Sequence, residues 1–196
     1  MTLTELIQEV YTITGRPDQV DSTLSAIKSA TLKAHQSDYY YKDMFETGVA
    51  FDTADYIQAL DYRAVLPRYR ALKYLRKYDI TTSTPGKLLD ILVPEQVMDD
   101  YKVQKSDICY VAGAYIQINS RTAEQYYLWG SYINPDITTS GYDSWIATDH
   151  PYAIVYEAAG TVFKTIGKDE EAAAHKQLSL EHIAMLKMSN VVSVGY

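Results

Sequence analysis

The stretch from Asp143 to Asn190 constrains this chain more than any other, because it reads as a helical hairpin whose second arm carries too much apolar surface to stand alone. Pro151 follows Asp149 and His150 and suits the first position of a helix, where its missing N–H is not needed. Asp149 then falls near the N-cap. Tyr152, Val155, Tyr156, Ala159, Val162, Phe163 and Ile166 recur at helical spacing, with Glu157, Thr161, Lys164 and Thr165 opposite, which predicts a single core face. Gly160 lies inside this helix at a cost of ~1 kcal/mol relative to Ala, so a neighbouring backbone is expected to approach it closely. Gly167 is the stop, and Asp169, Glu170 and Glu171 open a second helix that runs to about Met188.

In that second helix apolar residues interrupt the polar surface on every side. Ala174, Leu178 and Met185 share one side, Ala173, Leu180 and Ala184 another, and Ala172 and Ile183 a third. A helix apolar all round is normally buried. Two covers are open: the chain's own elements on all sides, or a second chain. On the second reading Leu178, Ile183 and Met185 are the candidate subunit-interface residues.

With 196 residues, 47% of them hydrophobic, the chain can bury a full core as one domain, or as one domain with a sizeable insertion. The single Cys109 excludes a disulfide within the chain, and its apolar setting, Ile108-Cys109-Tyr110-Val111, predicts a buried, inert thiol. No apolar run approaches the ~20 residues that cross a bilayer, and Met1-Thr2-Leu3-Thr4-Glu5 lacks the basic and apolar regions of a signal peptide. A chain that is soluble and intracellular when made, with no membrane partner, is therefore expected. A net charge of −7 argues against tight binding of nucleic acid, which needs clustered Lys and Arg. The unusual feature is 19 Tyr against 3 Phe and 2 Trp, a bias that suits half-exposed sheets and protein interfaces.

From the N-terminus, the capping-box pattern Thr2-Leu3-Thr4-Glu5 opens a helix with Leu3, Leu6, Ile7 and Val10 inward, closed at Gly15 with Pro17 beyond. A second helix is expected from about Asp18 to Gln36, with Val20, Leu24, Ile27, Thr31 and Ala34 on one face. From Asp38 to Tyr142 the signal turns to strands: Tyr39–Met44 with Gly48–Phe51, Tyr56–Tyr62, Tyr69–Tyr78, Lys87–Val93, Asp107–Val111, Tyr115–Ser120 and Glu124–Tyr132. Turns are expected at Thr84-Pro85-Gly86, Val93-Pro94 and Asn134-Pro135-Asp136, a helical turn from Pro94, and a hairpin loop at Ala112-Gly113-Ala114. Tyr69–Tyr78 also suits a helix by spacing, but its neighbours favour a strand. The predicted organisation is thus α+β: N-terminal helices over 1–37, a Tyr-rich antiparallel β insertion over 38–141, a helical hairpin over 142–189 that completes a bundle with the first helices, and an extended tail over 190–196.

Signatures of chemistry are missing. There is no P-loop and no G-x-G-x-x-G after a strand, and His35, His150, His175 and His182 come with no H-E-x-x-H and no Cys pair. No catalytic residue, metal ligand or cofactor is therefore expected. His175 and His182, two turns apart, read as solvated residues on an interface helix, and Asp143, Asp149 and His150 as helix-start residues. The basic stretch Arg63, Arg68, Arg70, Lys73, Arg76 and Lys77, interleaved with Tyr62, Tyr69, Tyr74 and Tyr78, has a nucleic-acid-like look and equally describes a sheet with one wet face.

The order of these segments resembles the head-to-tail adaptor proteins of tailed bacteriophages, also called connector or tail tubular proteins. The resemblance is carried by two N-terminal helices, a strand entered as Ser37-Asp38-Tyr39-Tyr40-Tyr41, a Tyr-rich β excursion, the return Tyr142-Asp143-Ser144-Trp145 to Asp149-His150-Pro151-Tyr152, and the turn Phe163-Lys164-Thr165-Ile166-Gly167-Lys168-Asp169-Glu170-Glu171-Ala172. It implies a non-enzymatic virion component at the head–tail junction, made in the host cytoplasm. Such a protein forms a ring, usually of twelve copies, between the portal protein and a tail tube or nozzle protein, with DNA passing through without specific binding. Segments around Leu88–Tyr101 extend the excursion beyond the family's pattern. The alternatives are another tail-completion or virion structural protein and, last, an enzyme with a cryptic carboxylate or His site.

Past Ser189 the run Val191-Val192-Ser193-Val194-Gly195-Tyr196 has little helix preference and no charge, which predicts an extended end. Either it frays, or it adds to a neighbouring chain through Val191, Val192, Val194 and Tyr196. The resemblance points to the portal as that neighbour.

Overall fold

The computed structural model describes residues 1–50, 57–98, 102–103, 105–119 and 126–193. The chain is α+β, a bundle of N- and C-terminal helices with an inserted, largely antiparallel β subdomain. One compact unit comprises Met1–Asp43 and Asn134–Tyr196, the other Met44–Ile133.

In the helical unit, α1 (Leu3–Thr14) starts at a complete capping box. The Thr2 hydroxyl accepts from Glu5 N–H, the Glu5 carboxylate accepts from Thr2 N–H, and Gly15 ends the helix at φ 64°. The second helix, α2 (Val20–Gln36), buries Thr23, Ala26, Ile27, Ala30, Thr31, Ala34 and His35, while Val20 is exposed. The short α4 (Trp145–Asp149), not expected from the sequence, precedes α5 (Pro151–Thr165) and α6 (Asp169–Ser193). Asp149 is not the cap of α5. His150 holds that position without a side-chain bond, and Asp149 pairs with Lys42 at 2.7 Å.

The roles of the two long C-terminal helices differ from the sequence reading. The helix enclosed by its own chain is α5, which packs against α1, α2, α4 and α6 and buries Ala153, Ile154, Val155, Ala158, Ala159, Gly160, Val162 and Phe163. Small side chains explain this, since they let neighbours approach from more than one direction. At Gly160 a Cβ would lie 2.9 Å from Lys176 Cγ and 3.0 Å from the Ala172 carbonyl oxygen, the close approach that the sequence predicts. By contrast, α6 is buried along one stripe, Ala172, Ser179, Ile183 and Leu186, with the Ser179 hydroxyl donating to the Ala153 carbonyl at 2.9 Å. Its helical backbone continues through Ser193, so Val191 and Val192 belong to a helix and not to an extended tail, while Val194 and Tyr196 lie outside the described residues.

The β unit contains two four-stranded sheets. One has the order β1 (Met44–Ala50), β8 (Tyr126–Ile133), β3 (Tyr69–Asp79), β4 (Thr84–Leu88). The other runs β2 (Ile57–Asp61), β7 (Tyr115–Asn119), β6 (Ile108–Ala112), β5 (Asp90–Ile91). Pairing is antiparallel except between β5 and β6, which run parallel. Their core contains Val49, Leu75, Cys109, Ile116, Ile118, Tyr127 and Trp129. Gly113, at φ 61°, begins the tight β6–β7 turn.

Three boundaries from Tyr41 onward depart from expectation. Tyr41–Asp43 is a 3-10 turn ahead of β1, and Tyr62–Val65 forms a short helix, α3, capped by Asp61. The turn expected at Thr84–Gly86 lies earlier, because the Asp79 carboxylate accepts from Thr81 and Thr82 and folds the chain there. Pro85 consequently sits in β4, an edge strand, where a missing N–H is tolerated. Phe51, Tyr56, Ser120 and Glu124, assigned to strand ends from the sequence, lie outside the described residues.

Two tests follow from this packing. Gly160→Val should lower the denaturation midpoint, with a loss of about 1–3 kcal/mol from overpacking against α6 and an unchanged far-UV spectrum; an unaltered midpoint would mean the α5–α6 contact is loose. Cys109 is fully buried, and that burial pushes its thiol from 9.0 up to about 12. The folded state therefore keeps its proton where the unfolded chain loses it, and this contribution to stability is expected to fade as pH rises above 9. A thiol reagent should label Cys109 only on unfolding.

Candidate functional site

A buried side-chain cluster in the helical unit joins the segment that leaves it to the segment that returns. His35, in the last turn of α2, places Nδ1 2.7 Å from Asp43 Oδ1 and Nε2 2.9 Å from Ser144 Oγ. Trp145 Nε1–H donates to the same Asp43 oxygen at 2.7 Å. With Nδ1 donating to the carboxylate, Nε2 accepts the Ser144 hydroxyl proton, and Ser144 Oγ in turn accepts the Ala147 N–H at 3.2 Å as the cap of α4. Nearby, the Tyr142 hydroxyl lies 2.7 Å from Thr31 Oγ1, and burial raises the Tyr142 phenol above its ordinary value.

Serine, histidine and aspartate in this sequence of contacts have the connectivity of a nucleophile, a base and an orienting acid. Their setting is that of a clasp. All three are buried, and the serine oxygen is used as a helix cap. In the sequence His35 stands only as one of four histidines with no H-E-x-x-H and no Cys pair to make a metal site. The available signal was its position four residues after Thr31, which places it on the inward face of α2.

The surface of α6 is the second candidate. Leu178 is 39% exposed, Met185 60% and Met188 71%, and these three fall on one side of the helix, away from the stripe that closes the core, while Leu180, also exposed, falls on another side. Ile183, expected at a subunit interface, is 7% exposed and packed into the chain's own core, so it is not available to a second chain. His175 and His182 are not free in solvent. They are half-buried in an aromatic seam between α5 and α6, with ring centroids 5.0 Å apart for His175 and Phe163 and 5.5 Å for His182 and Tyr156.

In the β unit the tyrosines cover backbone. A Cβ on Gly130 would fall within 2.4 Å of the Tyr74 ring, and one on Gly48 within 2.1 Å of the Tyr126 hydroxyl. Each ring thus lies over a glycine of the neighbouring strand. The basic stretch is partly occupied: Arg63 pairs with Asp61, Arg76 stacks on Tyr74, and Lys77 holds Asp107 at 2.7 Å. Lys77 first, and Lys87 after it, keeps the Asp107 carboxyl below its ordinary range.

Among the described residues no group of His, Cys, Asp and Glu is arranged to hold a metal ion, and no helix is long and apolar enough to cross a membrane. No protein-family model matches the chain, and no curated protein matches it either.

The clasp makes a quantitative distinction testable. Asp43→Ala removes the acceptor of one buried and one part-buried donor and is expected to cost about 2–4 kcal/mol. Lys42→Ala, one residue away in an exposed ion pair, should change stability by about 0–1 kcal/mol. Urea denaturation of both variants measures the contrast, and equal effects would show that the clasp does not hold the unit together.

Proposed function

We propose that this chain is a structural virion protein, a phage head-to-tail adaptor that docks as a ring on the portal and provides the platform for the tail and the channel for DNA. The order of segments and motifs supports the reading, and the observation that carries it is the exposed stripe of α6. A ring built by rotation joins two different patches, one on each side of the subunit. The stripe of Leu178, Met185 and Met188 supplies one such patch on a helix whose other side is already committed to the core. A channel for nucleic acid benefits from acidic walls, and most of the chain's excess of acid lies in the helical unit. The portal contact is assigned to the end of α6, with Val191 and Val192, and to Val194 and Tyr196 after it; the opposite partner is a tail tube or nozzle protein.

The purified chain is expected to be monomeric or weakly associated by light scattering, and to form rings on portal particles in electron micrographs. The double substitution of Leu178→Glu and Met185→Glu should abolish those rings while leaving circular dichroism unchanged. A tight dimer with two-fold symmetry, or rings that persist in the double variant, would count against the reading.

A further inference from the structure

A cavity of about 410 Å³ opens in the helical unit between the 3-10 turn Tyr41–Asp43, α4 and the last turns of α6. Tyr40, Trp145 and Leu186 give it apolar walls, and Tyr41, Asp149 and Asn190 contribute to its lining. Trp145 is held in a fixed orientation. Its Nε1–H is bonded to Asp43, and its ring meets Tyr40 at 5.3 Å and His35 at 5.7 Å, both edge-on. Over the same indole stands the Lys42 ammonium, 5.1 Å from the ring centroid and 2.7 Å from Asp149 Oδ2. Asn190 Oδ1 accepts the Tyr41 N–H at 3.3 Å, which ties the turn carrying Lys42 to the end of α6.

An immobilised indole beside a carboxylate is an arrangement that recognises a cation. The chain itself demonstrates this by placing an ammonium there. The Lys42 side chain is 61% exposed, however, and an exposed ion pair is weakly held and exchangeable. A planar guanidinium suits the site better than an ammonium, because it can stack on the indole and donate two parallel N–H bonds to one carboxylate. Its aliphatic stem would lie along the apolar walls. The excess acid of this unit favours the approach of a basic group and disfavours phosphate.

We propose that this cavity is a socket for a basic side chain, an arginine, presented by a partner protein, with Lys42 as the internal placeholder that the incoming side chain displaces. The inference does not depend on the ring reading, since it concerns the chemistry of the socket and not the identity of the assembly.

The test uses the whole chain and the two indole N–H signals of Trp129 and Trp145 in an NMR titration, with Trp145→Phe assigning them. Nα-acetyl-arginine methylamide is expected to shift the Trp145 signal saturably and leave Trp129 unmoved, while the uncharged citrulline analogue shifts neither. Lys42→Met should bind the arginine probe at least about threefold more tightly, because the competitor is gone, and Asp149→Asn at least about threefold more weakly. If Asp149→Asn does not fold, the Lys42→Met comparison decides alone. The proposal is overturned by an absence of saturable shift in both wild type and Lys42→Met, by an equal response to citrulline, or by weaker binding in Lys42→Met.

Discussion

The helical unit depends on one buried carboxylate oxygen, Asp43 Oδ1, being held from two sides where the chain departs from it. Asp43 is the last residue before the β excursion, and a carboxylate taken out of water there is tolerable only if donors meet it. Trp145 Nε1 and His35 Nδ1 meet the same oxygen, one from the returning segment and one from α2. The demand of a single side chain thereby fixes both crossing points of the excursion relative to the bundle core. His35 extends the link to Ser144, which caps α4 and sets the path into α5. The excursion can consequently be long without loosening the bundle, since closing a longer loop costs only slowly increasing entropy once its ends are held.

The sequence was most legible where a local rule has a single solution. The capping box at Thr2 and Glu5, the left-handed Gly15, and the near approach to Gly160 all follow from groups within a few residues or from the absence of a Cβ. It was least legible where two helices had to be ranked by burial. Apolar residues on every side of α6 suggested enclosure, whereas α5 is enclosed through Ala153, Ala158, Ala159 and Gly160. Periodicity reports which side of a helix is apolar, and small residues report how many neighbours can reach it. Val191 and Val192 illustrate the same limit: β-branched residues lower helix propensity by a few tenths of a kcal/mol, and a helix already running for many turns extends through them.

Tyrosine abundance was legible as a sheet signal but not as a mechanism. Tyr74 and Tyr126 lie across Gly130 and Gly48, so the large rings replace the side chains that those glycines lack and shield the backbone of neighbouring strands. A phenol does this without becoming an apolar liability at the surface, and the Tyr74 hydroxyl reaches Glu46 on β1. The clasp was illegible for a different reason. Asp43, His35 and Ser144 come from three separate segments, His35 and Ser144 being 109 positions apart, and no spacing rule links them.

The division of labour within α6 connects the fold to the functional reading. Ile183, Leu186 and Ala172 are spent on the chain's own core, which removes Ile183 from any role between subunits. The large apolar residues left exposed, Leu178, Met185 and Met188 with Leu180 on another side, are then the part of the helix that the core does not need. Exposing them lowers solubility in isolation, and a net charge of −7 opposes uncontrolled association. A stripe backed by a rigid helix costs little ordering entropy when it docks, and methionine adapts its shape to the surface it meets. One helix thus both closes the bundle and presents a pre-ordered face, with the socket beside Trp145 at the same end of the helix offering a charged contact to complement it.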